Sequence, residues 1–418
     1  MRLIQPSESS TISKNGRRAV VTGLGVVTNI GVGIHEFWEN LIDGKSGIRR
    51  IEYFDTQELP THFGGEIDTR TLVPHLPDFS YKLGATSRYA LLALQLALAD
   101  SQLSVNGITS KNIAVSMGTT MGEIQNLEYL NALNVKGNFD SVSKFRMTGY
   151  PASEIAHNVS RLLGISGQSM MFTTACSAGN YAVGKSLDEV LSGKSDLAIA
   201  GGVDTISRLN YIGFSRLFAM APEMCQPFDK DRKGMMVGEG AGMLVIESLN
   251  HALNRGAHIY AEIKDYALSC DAHHMVEPSM QGVKKCMRKI LRNNSMNPND
   301  IDYICCHGTG TLANDRTESQ AIYEIFYKNG KNVPASSIKS MMGHTMGAAS
   351  AIETIACCLA IKHDIMPPTM NFFTNDTDCP IDCIPNKARS AKLMNVINNS
   401  FAFGGNNASL LLCKFRQD

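Results

Sequence analysis

A cysteine and two histidines stand out, each placed where an apolar run gives way to small residues. Cys176 lies in Met170-Met171-Phe172-Thr173-Thr174-Ala175-Cys176-Ser177-Ala178-Gly179, with Ala182 and Gly184 beyond it. The pattern predicts a strand feeding a helix, with the thiol at the helix N-terminus. Unpaired peptide N–H groups and the positive end of the helix dipole favour the thiolate there, which is the nucleophilic form. Small side chains over the next turns let other backbone approach, so this helix is expected to be buried. None of the other ten cysteines has such a setting.

His307 follows the apolar run Tyr303–Cys306 in His307-Gly308-Thr309-Gly310-Thr311, and His344 sits in Gly343-His344-Thr345-Met346-Gly347. Loops at strand C-termini are where α/β sheets carry their chemistry. An isolated histidine is more often a structurally satisfied ring. Here the adjoining glycines demand close backbone approach, which favours the functional reading. The three residues form a Cys-His-His set drawn from three strand ends. Near the C-terminus, Asn399-Ser400-Phe401-Ala402-Phe403-Gly404-Gly405-Asn406-Asn407 can offer N–H donors to an oxyanion and an aromatic ring to gate a pocket. Taken alone, it reads more simply as a hairpin between strands Val396–Asn398 and Ala408–Leu412.

Other candidates are weaker. Lys339 and Glu318 fit either a buried ion pair or surface charges, and spacing alone favours the surface. Gly23-Leu24-Gly25 after a strand has the start of a dinucleotide loop, but position 28 is Thr28 where a third glycine belongs. Asp271, His273 and His274 can be drawn as a metal cluster; without a second matched motif, a polar loop is favoured.

The elements that must position these residues alternate between strand and helix. Strands are expected over Arg18–Gly25, Ile113–Met117, Leu197–Gly202, Tyr303–Cys306, Pro334–Ile338 and Val396–Asn398, with a helix over Ser87–Leu98. This is an α/β chain. It also echoes itself. The unit of strand, reactive residue and small-residue helix around Cys176 recurs from Ser336 through His344 to Ala351. Ile113–Gly122 parallels Tyr303–Thr311 in the same way. Two halves built alike predict a duplicated fold with its site at the junction.

Composition bounds the rest. With 418 residues, 44% hydrophobic and 19% charged, the chain supports a large core and is not disordered. A formal net charge of zero argues against nucleic-acid binding by bulk electrostatics. No apolar run approaches the roughly 18 residues that a membrane span needs. The leader Met1–Arg18 is polar, so no signal peptide is expected. The eleven cysteines contain no C-x-x-C; Cys305-Cys306 and Cys357-Cys358 lie in apolar runs, and Cys379 and Cys383 are poorly spaced as ligands. Buried free thiols in a reducing cytoplasm are expected.

Four co-linear motifs carry a family resemblance: Thr174-Ala175-Cys176-Ser177-Ala178-Gly179, His307–Thr311, Ser337-Ile338-Lys339-Ser340-Met341-Met342-Gly343-His344 and Asn399–Asn407. From about Arg17 to Phe415 the chain resembles the elongating β-ketoacyl-acyl-carrier-protein synthases of fatty-acid and polyketide assembly. The resemblance implies a thiolase-like fold: two duplicated halves, here 17–258 and 259–416, in five α-β-α-β-α layers, forming a dimer. It implies Cys176 as the acyl-accepting nucleophile, and His307 and His344 as the pair that polarises the malonyl thioester. Lys339 and Glu318 match the supporting pair, and Thr309 and Thr311 the pantetheine channel. Phe403 resembles the gating residue, its N–H completing an oxyanion hole with that of Cys176. No intrinsic cofactor or metal is implied, since substrates ride on the phosphopantetheine of an acyl carrier protein.

The run from His307 to Asn314-Asp315-Arg316 and the run Pro334-Ala335-Ser336-Ser337-Ile338-Lys339-Ser340 resemble ketosynthase subunits of type II polyketide or polyene systems. Ala402, where housekeeping enzymes carry glycine, and Asn406-Asn407, in place of the usual Thr-Asn, depart from the family pattern and bear on the loop's mobility and the acyl chain accepted. The implied partners are acyl carrier protein and a cysteine-lacking chain-length-factor paralogue, or a second copy of this chain. Housekeeping fatty-acid elongation is the alternative. A thiolase needs a second catalytic cysteine, and Cys413 lacks a glycine-rich setting. Initiating ketosynthases use asparagine where this chain has His344.

Overall fold

The computed structural model describes residues 16–72, 83–104, 108, 113–138, 149–165, 167–328 and 330–417; most of the polar leader lies outside them. Strands β1 (Ala19–Thr28), β2 (Ile113–Gly118), β3 (Ser169–Phe172), β4 (Leu197–Asp204) and β5 (Gly240–Ser248) come from the first half. Strands β6 (Ala261–Cys270), β7 (Tyr303–Cys305), β8 (Ala335–Ser336), β9 (Asn395–Phe401) and β10 (Asn406–Cys413) come from the second. Their spatial orders are β3-β2-β4-β5-β1 and β8-β7-β9-β10-β6, which is one permutation used twice. Directions repeat too. In each half the two pairings nearest the outer edge are parallel and the next two antiparallel. The halves meet where Ala19–Val21 pair antiparallel with Ala261–Ile263. The sequence echo therefore reflects a repeated topology.

Helices α1 (Ala85–Asp100) and α2 (Ser153–Leu163) cover the outer face of the first sheet, and α4 (Met280–Asn293) with α5 (Leu312–Ile322) cover that of the second. Between the sheets lie α3 (Ala178–Leu191) and α6 (Ala349–His363). The result is the five-layered, thiolase-like α-β-α-β-α arrangement. Position follows from sequence: every residue of α6 from Ala349 to Ile361 is buried, as its all-round apolar and small composition requires. Gly179 of α3 lets the two central helices cross, because a Cβ there would stand 2.5 Å from the Ala351 nitrogen. Asn180, also on α3, donates its peptide N–H to Ser350 Oγ on α6 at 2.9 Å.

Several expected elements have different ends. The first strand runs on to Thr28, while Pro334–Ile338 shortens to Ala335–Ser336 because the chain turns into the helical turn Lys339–Met342. The glycines of Gly23-Leu24-Gly25 serve packing rather than phosphate. A Cβ on Gly25 would fall on the carbonyl oxygen of Ala93, so glycine lets α1 lie directly on β1. All eleven cysteines are free. No helix among the described residues is long and apolar enough to cross a membrane.

Gly25→Ala forces α1 away from β1. The expected loss of stability is about 1–3 kcal/mol, read as a lower denaturant midpoint with unchanged m-value.

Candidate active site

The nucleophile candidate sits on a strained elbow. After β3 ends at Phe172, Ala175 adopts φ +51°, a left-handed conformation unusual for a residue with a Cβ. A short 3₁₀ turn, Ala175–Ser177, then leads into α3. The Cys176 carbonyl accepts from Ser400 Oγ at 2.9 Å, which ties the elbow to β9 in the other half. The second half repeats the device. Met346 has φ +52° in the 3₁₀ turn Met346–Ala348 that opens α6. The two elbows approach each other between the sheets.

His344 lies just ahead of the second elbow. Its main chain is pinned by His344 N–H to the Met236 carbonyl (2.6 Å) and Gly238 N–H to the His344 carbonyl (2.9 Å). Its Nδ1 accepts the Met346 N–H at 3.1 Å, so in the neutral ring the proton resides on Nε2. That Nε2 is 3.1 Å from Cys176 Sγ. His307 is held through its peptide. Its N–H donates to Glu318 Oε1 (2.8 Å) and its carbonyl accepts from Lys339 Nζ (2.6 Å). The rings of His307 and His344 stand edge to face, 5.3 Å between centroids. His307 Nδ1 is buried and has no hydrogen-bond partner among the described residues. One ligand atom from each of Cys176, His307 and His344 lies within 4.8 Å of the others. Such spacing suits a metal ion or a single carbonyl equally.

Burial, helped by the positive charge of Lys339, holds both imidazoles well below their ordinary pKa and keeps them neutral. The thiol is different from expectation. Burial pushes Cys176 up to about 12, and the opposing pull of Lys339 and of the Cys176 and Phe403 N–H groups does not offset it. The helix N-terminus alone therefore does not make a resting thiolate. The two N–H groups nonetheless lie against the sulfur.

The supporting charges also depart from the sequence reading. Lys339 and Glu318 are both buried, with 1% and 0% exposure, so the surface reading fails. Nor are they each other's direct partners. Lys339 forms its ion pair with Glu353 of α6, and Glu318 receives the N–H groups of His307 and Gly308. A buried ammonium needs a carboxylate within reach, and Glu353 supplies it.

Above the triad opens a cleft lined by Thr309, Thr311, Phe214, Met275, Asn314 and Phe403, among others. Thr309 and Thr311 hydroxyls are 2.9 Å apart on one wall. Phe403 follows β9 in the hairpin loop, its ring 6.3 Å from that of Phe214. The hairpin reading and the site reading of Asn399–Asn407 thus describe one object.

Two family models match this chain: the N-terminal domain of β-ketoacyl synthase over residues 16–252, and its C-terminal domain over residues 260–373. The chain belongs to the β-ketoacyl synthase family. Its class of chemistry is acyl transfer. Among relatives, the 3-oxoacyl-[acyl-carrier-protein] synthase 2 of Synechocystis sp. is 34% identical, covering 96% of this chain and 99% of that protein. Nodulation protein E of Rhizobium leguminosarum bv. trifolii is 36% identical over the same shares. Among solved structures, the ishigamide ketosynthase/chain length factor superposes with a TM-score of 0.91 at 39% identity, covering 96% of this chain and all of that one. A type II polyketide synthase ketosynthase solved with its acyl-carrier protein gives 0.87 at 30% identity, with the same coverage.

In this β-ketoacyl synthase fold, sequence reasoning missed residues that act through others. Glu353 was signalled by being the one acidic residue in the apolar helix α6. Asp315 accepts the N–H groups of Thr309 and Gly310 and so shapes the cleft wall. Asp271 and His274 are bonded as members of a polar loop. Asp271 accepts from Ser279 N–H and Asn407 Nδ2, and His274 Nδ1 accepts the N–H groups of Val276 and Glu277. His274 at the end of this loop, with Met275 to Pro278 after it, lines the cleft.

Burial pushes Glu318 up to about 7, against an ordinary 4.5, despite the two N–H bonds it accepts. Between those values the folded protein binds a proton that the unfolded chain releases. This contribution to stability is fully present below pH 4.5 and is lost as pH rises through 7. Glu318→Gln is expected to flatten the pH dependence of the unfolding free energy between about pH 5 and 8 by on the order of 2–3 kcal/mol, measured by denaturant titration.

Proposed function

We propose that this chain extends a Cys176-bound acyl group with malonyl-acyl-carrier-protein by decarboxylative Claisen condensation, as the catalytic ketosynthase subunit of a type II polyketide synthase. The observation that carries the reading is the approach of His344 Nε2 to Cys176 Sγ at 3.1 Å, with His307 in the same buried cluster. The halves 17–258 and 259–416 supply the nucleophile and the two histidines respectively.

In the first half-reaction the Cys176 sulfur attacks the thioester of the acyl carrier protein. The carbonyl oxygen becomes an oxyanion facing the N–H groups of Cys176 and Phe403. A donor of this kind is worth about 3–4 kcal/mol. As the tetrahedral intermediate collapses, the carbon–sulfur bond to pantetheine breaks, and the thiol proton ends on the departing pantetheine sulfur. In the second half-reaction the phosphopantetheine arm of malonyl carrier protein threads past Thr309 and Thr311. Loss of carbon dioxide leaves an electron pair that becomes an enolate. Neutral imidazoles donate N–H bonds to its oxygen without giving up a proton, so the enolate keeps its carbon nucleophilicity. That carbon attacks the Cys176 thioester, the carbon–sulfur bond breaks, and the released sulfur takes up a proton from solvent.

The polyketide reading is supported by the runs ending Asn314-Asp315-Arg316 and Pro334–Ser340, by the departures from the housekeeping pattern at Ala402 and Asn406-Asn407, and by the likeness to a type II polyketide synthase ketosynthase and to the ishigamide ketosynthase/chain length factor. Ala402 sits in extended backbone at φ −102°, so its methyl is accommodated while it narrows the freedom of the hinge before Phe403. By this reading the chain pairs with a cysteine-lacking paralogue and with an acyl carrier protein. The second reading, housekeeping fatty-acid elongation, is favoured by relatives named 3-oxoacyl-[acyl-carrier-protein] synthase 2 in Synechocystis and Staphylococcus.

Incubation with acyl carrier protein bearing an acyl group should add the acyl mass to the peptide containing Cys176, and Cys176→Ala should abolish it. Unchanged acylation of that variant contradicts the nucleophile assignment. His344→Ala should still accept acyl groups but decarboxylate malonyl carrier protein about 100-fold or more slowly. Co-purification with a cysteine-lacking paralogue supports the polyketide reading; a homodimer making saturated-chain precursors supports the alternative.

A further inference from the structure

We propose that Asp204 is a positioning residue for His344: it fixes the turn that presents the Met346 N–H to the imidazole, and so determines which ring nitrogen bears the proton. The inference rests on the enolate role proposed above for His344.

Asp204 ends β4 in the first half, fully buried and without an ion-pair partner among the described residues. Its Oδ1 accepts from Thr119 Oγ1 (2.8 Å) and Met121 N–H (2.9 Å). Its Oδ2 accepts from Thr120 N–H (2.7 Å) and Gly347 N–H (2.7 Å). Three donors come from the loop after β2, and the fourth comes from the other half of the molecule. That fourth donor is the residue next to Met346.

The connection runs through a strained turn. Met346 holds φ +52°, and this conformation aims its N–H back at His344 Nδ1. Such backbone persists only where neighbours over-determine it. On one side, a Cβ on Gly347 would stand 2.5 Å from the Thr119 carbonyl carbon and 2.6 Å from the Thr120 nitrogen, so the turn is wedged against the β2 loop. On the other, Asp204 binds that same loop and Gly347 together. A hydrogen-bonded chain results: Asp204 to Gly347 N–H, the Met346 turn, Met346 N–H to Nδ1, and Nε2–H towards the sulfur.

Only a carboxylate suits this place. Four donors converge, and an amide offers one oxygen with a donor in place of the other acceptor. The negative charge is not neutral to the chemistry, however. It works against the thiolate of Cys176, adding to the effect of burial. The carboxylate nonetheless satisfies all four donors at once.

Asp204→Asn separates the two effects. Decarboxylation of malonyl carrier protein should fall about tenfold or more in kcat with KM within about twofold. Alkylation of Cys176 by iodoacetamide at fixed pH should proceed at least as fast as in the wild type. Thr119→Val, which removes one donor and leaves the carboxylate, should lower decarboxylation by about two- to fivefold with alkylation unchanged. Decarboxylation within twofold of wild type in Asp204→Asn overturns the inference, as does a parallel fall in both reactions for Thr119→Val. A wild-type protein without decarboxylase activity overturns the proposed function itself, and this inference with it.

Discussion

Burial keeps two imidazoles neutral, and one peptide N–H decides where the proton of His344 sits. The chemistry of the site depends on that combination. A charged imidazolium would hand its proton to an enolate and extinguish the carbon nucleophile. A ring protonated on the other nitrogen would present a lone pair to the developing oxyanion. Desolvation disfavours the charged form, the Lys339 ammonium disfavours it further, and Met346 N–H occupies Nδ1. Lys339 can be so deeply buried because Glu353 and the His307 carbonyl receive it. The same cation draws the thiol down from an even higher value.

Duplication explains how such a cluster is assembled from distant segments. Each half ends a parallel edge strand near an elbow whose first residue is left-handed: Ala175 in one, Met346 in the other. Each elbow opens a helix, and the helices cross at glycine and small residues in the central layer. One elbow carries sulfur. The other carries a glycine at the matching place, Gly347, and presents histidine just ahead of its turn. A repeated fold has thus been given two different chemical ends, brought together because the central helices must pack against each other.

Much of this was legible in the sequence, for a physical reason. Cys176, His307 and His344 sit in patterns decided locally, where an apolar strand meets glycine and small residues, and the helices after Cys176 and His344 advertise burial through composition. What could not be read depends on tertiary depth. The helix N-terminus pointed to a low thiol pKa, but desolvation at that depth outweighs it. The partner of Lys339 is set by where α6 docks, although a lone glutamate among Ile352, Thr354 and Ile355 was a signal in hindsight. Gly23 and Gly25 showed a need for close approach without naming what approaches; it is α1, not a phosphate. The strand expected over Pro334–Ile338 stops at Ser336 because Ile338 is buried at the start of the helical turn Lys339–Met342 instead.

The site's chemistry turns on the His344 tautomer, and side-chain ¹⁵N NMR of histidine-labelled protein measures it directly. The claim predicts that His344 shows a neutral ring with hydrogen on Nε2 and a hydrogen-bonded, unprotonated Nδ1 throughout about pH 6 to 8. An imidazolium in that range, or hydrogen on Nδ1, would contradict it.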